Sequence, residues 1–114
     1  MLQRILASFQ NLPGAEQAYL VSKQDGLISA VGKRGKSPDL DFANLVVQEL
    51  ENLGRGTLGE GLELWIEGEE TVLVTRLSSD TSLVIRGKKK SRIARWRHAV
   101  DRDTEVLNLS LIHI

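Results

Sequence analysis

The chain has no cysteine and only two histidines among its 114 residues. Without thiols there is no disulfide framework and no cysteine-rich metal site, and a reducing compartment is the simplest setting. His98 lies among arginines and His113 is the penultimate residue, and neither stands at metal-ligand spacing from a carboxylate. No serine carries the surroundings of a nucleophile. Apolar runs are only a few residues long, too short to span a bilayer. The N-terminal MLQRILASFQNLPG is too interrupted by polar residues for a secretory signal. A cytoplasmic, non-enzymatic protein without metal, cofactor or small-molecule substrate is therefore expected.

What remains is an ordinary globular composition, 41% apolar and 26% charged. A chain of this length makes one domain and buries roughly two-thirds of the surface it exposes when unfolded. Net charge is zero but unevenly distributed: residues 39–70 hold nine acids against one base, and residues 86–102 hold eight bases against one acid. Such separation suggests self-association or a charged partner.

Leu2, Ile5, Leu6, Phe9 and Leu12 recur at helical spacing, and Pro13-Gly14 stops that helix. Residues 16–23 and 27–32 read as strands. Asp25-Gly26 between them is a hairpin signal, because a type I′ turn requires positive φ at both central positions. Asp25 is thus assigned to geometry, not catalysis. After the loop KRGKSP, residues 39–54 form the longest helical pattern, with Pro38 and two early acids suited to its start. Three strands follow at 62–67, 71–77 and 82–86, and residues 91–107 close the chain as a helix. The expectation is an α+β fold, a five-stranded antiparallel sheet with helices on both faces, in the order α-β-β-α-β-β-β-α. Residues 1–108 form this domain. The final hexapeptide LSLIHI looks like a translated sequencing-adapter scar, so 109–114 is set apart.

Gly35-Lys36-Ser37 echoes the end of a P-loop, but position 30 is alanine where that motif needs glycine, and Pro38 removes a backbone donor. A solvated basic loop is the better reading. In the middle helix Ala43, Val46, Val47 and Leu50 centre one stripe, while Phe42 and Leu53 lie at its edge and Leu45 falls beyond it beside Glu49. This arc is wider than one sheet requires. Trp65 sits between Glu63 and Glu67 on one face of its strand, with Leu62, Leu64 and Ile66 on the other. Phe42, Leu45, Glu49, Leu53 and Trp65 are the candidate contacts with a second subunit. The basic run offers a second surface: Lys88, Lys89, Lys90, Arg92, Arg95 and Arg97 are candidate contacts for phosphates of nucleic acid or an anionic membrane. Trp96 falls on the apolar stripe with Ile93 and Ala99, and is assigned to the core.

Over residues 2–104 the sequence resembles the roadblock family, named for a dynein light chain and related to longin and profilin-like folds. The resemblance rests on the opening helix ending in Pro-Gly, on AEQAYLV leading into DGLI, on the long middle helix followed by glycines, and on LELWIEGEETVLVTRL and TSLVIRG. It implies a non-catalytic dimer built on the middle helix and third strand, joining two sheets into one. It also implies a small Ras-like GTPase as partner, regulated or scaffolded. No arginine-finger motif carries over, and the basic closing helix departs from the family pattern.

Overall fold

The computed structural model describes residues 2–24, 26–53, 61–78 and 80–112, the last three as backbone only. Helix α1 (Leu2–Gln10) leads into strands β1 (Ala15–Ser22) and β2 (Gly26–Gly32). Helix α2 (Leu40–Leu53), strands β3 (Glu63–Glu67), β4 (Glu70–Arg76) and β5 (Thr81–Lys88), and helix α3 (Ile93–Ile112) complete the expected order. The strands make one antiparallel sheet in the order β2-β1-β5-β4-β3.

Strands β1, β5 and β4 are apolar on both faces, so each face needs a cover. On one side Leu6 and Phe9 of α1 and Ile93, Trp96, Val100 and Leu107 of α3 pack on Ala18, Leu20, Leu73, Leu83 and Ile85. On the other, Ala43, Val46, Val47 and Leu50 of α2 pack on Tyr19, Val21, Val72, Val74 and Val84. The helical stripes expected from spacing are those the structure buries. Trp96 is fully buried, and its indole N–H donates to the Pro13 carbonyl at 3.0 Å.

Two boundaries differ from expectation. Ser22 pairs with Gly26, so the first hairpin closes over three residues and not over a two-residue type I′ turn. Gly26 does take positive φ, 75°, but as the first residue of β2. The pairing shifts register between Leu20 and Val21, with Ile28 as the extra residue of a bulge. Asp25 and the glycines at 54, 56 and 59 lie outside the described residues. Helix α3 runs five residues beyond the expected end at 107, because no glycine or proline interrupts residues 104–112.

Two junctions hold the helices in place. Where β5 crosses the α1–β1 corner, Lys88 N–H donates to the Gly14 carbonyl at 2.9 Å and Trp96 lies over the strand. A Cβ on Gly87 would fall on the Gly14 carbonyl oxygen and 2.8 Å from Trp96 Cη2. At the C-terminal end of α2, Glu51 accepts from Arg76 Nη2 at 2.8 Å and pairs with Lys23 Nζ at 3.0 Å, while Arg76 Nε donates to the Gly61 carbonyl at 2.9 Å. Burial opposes the charge on Glu51, but the hydrogen bonds and positive charges of Lys23 and Arg76 outweigh it and hold its carboxyl below the usual range.

Gly87→Ala is expected to destabilise the fold by about 1–3 kcal/mol in urea unfolding, since the obstructing atoms include backbone. Glu51→Gln is expected to cost about 1–2 kcal/mol at neutral pH. The folded carboxyl has a depressed pKa, so its contribution is complete above the ordinary carboxylate range and fades as pH falls through the folded value. The stability gap between wild type and Glu51→Gln should therefore close on acidification, and a gap constant with pH would contradict the assigned ion pairs.

Candidate functional site: an edge strand flanked on both faces

Strand β3 is at the sheet edge and pairs only with β4 among the described residues. Its register places Glu63 opposite Thr75, Trp65 opposite Leu73 and Glu67 opposite Thr71, so these three project from the face covered by α1 and α3. Leu64 and Ile66 lie opposite Val74 and Val72, on the α2 face. The expected alternation therefore holds, with the strand beginning at Glu63. Leu64 packs against the α2 core, but Trp65 keeps 46% of its surface exposed.

Asp41, Leu45, Glu49 and Leu53 follow one another at intervals of four along α2 and are all exposed, Leu45 at 59% and Leu53 at 61%. Leu62, just before β3, is also exposed. The proposed subunit contacts thus divide between the two faces of the sheet: Leu45, Glu49 and Leu53 on the α2 side, Trp65 on the other. Phe42 belongs mainly to its own chain. Its ring lies 3.9 Å below the Arg86 guanidinium and 6.1 Å from the Tyr19 ring, and it is half-buried.

Sequence reading missed the polar group beside Phe42. Tyr19 Oη donates to Gln17 Oε1 at 2.6 Å and accepts from the Asp39 N–H at 3.0 Å. Gln17 Nε2 donates to the Lys36 and Ser37 carbonyls at 3.2 and 2.8 Å. Arg86 forks onto Glu70 at 2.8 and 3.0 Å. Burial opposes the Arg86 charge, but Glu70 outweighs it and raises the guanidinium pKa. The signal was a glutamine and a tyrosine two apart on an apolar strand, aligned on one face. These bonds turn Gly35-Lys36-Ser37 into a strapped loop whose carbonyls face Gln17. It borders a polar cavity of about 260 Å³ with carboxylates of Glu16, Asp39 and Glu70 in its lining, an arrangement unsuited to a phosphate.

The basic residues also divide. Arg97 pairs with both Glu63 and Asp101, whose hydrogen bonds raise its pKa. Lys88, Lys89, Lys90, Arg92 and Arg95 remain together beside Pro13 and Gly14. Among the described residues no group of three or more His, Cys, Asp or Glu could hold a metal ion, and no helix is long and apolar enough to cross a membrane.

Compared by sequence, the chain matches no family model and no curated protein. Compared by structure, it resembles the Roadblock/LC7 domain from Streptomyces avermitilis, with a TM-score of 0.76 at 19% identity over 96% of both chains. Myxococcus xanthus MglB superposes with a TM-score of 0.79 at 18% identity, over 99% of this chain and 96% of that one. An MglB with a tetrameric arrangement gives 0.74 at 20% identity, over 93% and 84%. The element order, the single antiparallel sheet and these superpositions agree: the chain has the roadblock/LC7 fold.

Proposed function

We propose that the protein is a homodimer joined along β3, and that this dimer is a non-catalytic scaffold or regulator of a small Ras-like GTPase. One observation carries the dimer: an edge strand is bordered on both faces by large exposed apolar side chains, Leu45, Leu53 and Leu62 toward one side and Trp65 toward the other. An edge of this kind invites strand addition. Pairing β3 with its own copy about a two-fold axis would extend five strands to ten. Trp65 would then be covered from the partner on one face while the α2 stripes of the two copies meet on the other. Arg97 supports this use of the edge, because it neutralises Glu63 beside Trp65. The tetrameric arrangement named for one MglB is a precedent for self-association on this fold. The GTPase partner rests on the family resemblance in the sequence. Because no arginine-finger motif carries over from the family, the dimer would act by holding or orienting the GTPase's own groups.

Light scattering should give twice the chain mass for the wild type. Leu45→Glu and Trp65→Glu, acting on opposite faces of one seam, should each weaken the dimer by about 2–4 kcal/mol and shift the mass toward monomer. Val106→Glu, at an exposed apolar position on α3, should leave the mass unchanged. Dimers that persist in both seam variants would exclude β3 as the interface. Partner choice is read separately, by titrating the dimer with a Ras-like GTPase from the same source, loaded with GTP analogue or GDP. Binding that depends on the nucleotide is expected, and no binding in either state would remove the GTPase assignment while leaving the dimer intact.

A further inference from the structure

The β5–α3 connection builds a second feature that dimerisation through β3 does not use. Lys88 closes β5, Lys89 and Lys90 turn, and Lys90 takes a left-handed φ of 63°. Ser91 ties the turn back by donating from Oγ to the Lys88 carbonyl at 2.6 Å. Below it, Lys88 N–H is bonded to Gly14 and the Trp96 indole to Pro13. The turn is thus fixed to the α1–β1 corner. Together Pro13, Gly14, the run Lys88 to Arg92, and Arg95 line a shallow cavity of about 470 Å³.

Among the described residues no carboxylate lines this cavity. An ion pair of Lys89 with Glu69 at 3.8 Å joins two largely exposed side chains and is weak. Glu70 is already committed to Arg86. The first turn of α3 contains no acid, although that end of a 20-residue helix favours negative charge. Five cations therefore line one cavity at the positive end of a helix, and an anion at this point relieves their repulsion. Single-stranded nucleic acid fits poorly, because the aromatic residue within the run, Trp96, is fully buried and gives no stacking surface.

We propose that this cavity binds phosphate groups carried at least two to a ligand or to a surface, either on a soluble polyphosphate or on the headgroups of an anionic bilayer. A lone carboxylate would balance only one of the five cations. The site consists of Lys88, Lys89, Lys90, Arg92 and Arg95 and excludes Arg97, which Glu63 and Asp101 hold.

The test uses the full chain with two probes at low and physiological salt: pyrophosphate by calorimetry, and flotation with phosphatidylcholine vesicles with or without phosphatidylglycerol. Binding to at least one probe is expected, weakened by salt and reduced tenfold or more in Lys89→Glu/Arg92→Glu. Both positions are exposed, so the double variant should keep the wild-type circular dichroism and dimer mass. Arg97→Gln should retain binding. Pyrophosphate binding alone assigns a soluble ligand, and vesicle binding alone assigns a membrane surface. Failure of both probes at low salt, equal binding by the double variant, or capture of duplex DNA in place of both would overturn the proposal.

Discussion

Everything in this molecule depends on three strands that are apolar on both faces. Because β1, β5 and β4 expose hydrophobic side chains upward and downward, neither layer of helices is optional. α2 must cover one side, and α1 with α3 the other. A single helix cannot extend over the whole width of a five-stranded sheet, so coverage fails at the margin. The margin on the β3 side is where large apolar groups remain exposed. The candidate interface is thus a consequence of how the core is divided, not a patch added to it.

Polar contacts then fix what hydrophobic packing leaves adjustable. Glu51 with Lys23 and Arg76 anchors the C-terminal end of α2, and Tyr19 with Gln17 and Asp39 anchors its start. Between these two anchors the exposed stripe of α2 is presented at a defined height above the sheet. On the opposite face, the Gly14–Gly87–Trp96 junction does the same for the start of α3. The basic cavity and the open edge therefore rest on the same frame but on separate supports.

Much of this was legible in the sequence, wherever a short-range period decides the outcome. The burial of Ala43, Val46, Val47 and Leu50 follows from helical spacing, the alternation of β3 from its two-residue period, and the burial of Trp96 from its place beside Ile93 and Ala99. What was not legible depends on pairing between distant residues. Alternation cannot say which face of β3 α2 will cover, so the separation of Trp65 from Leu45 required the fold. Gln17 and Arg86, or Glu63 and Arg97, meet only because the sheet brings them together. The first hairpin shows the same limit on a smaller scale: Asp-Gly marked the reversal, but the bulge at Ile28 set its register.

The clasp between Arg97 and Glu63 has a consequence during synthesis. Among the described residues β3 is an outermost strand paired on one side only, the form from which strands peel away or recruit unrelated chains. Tying its first residue to α3 links the integrity of that edge to the completion of the last helix. A chain whose α3 has not yet docked lacks the clasp, while its Glu63 and Glu67 still repel indiscriminate stacking. An outer strand and the last helix thus share one ionic contact, and on the proposed dimer the seam would lie beside it.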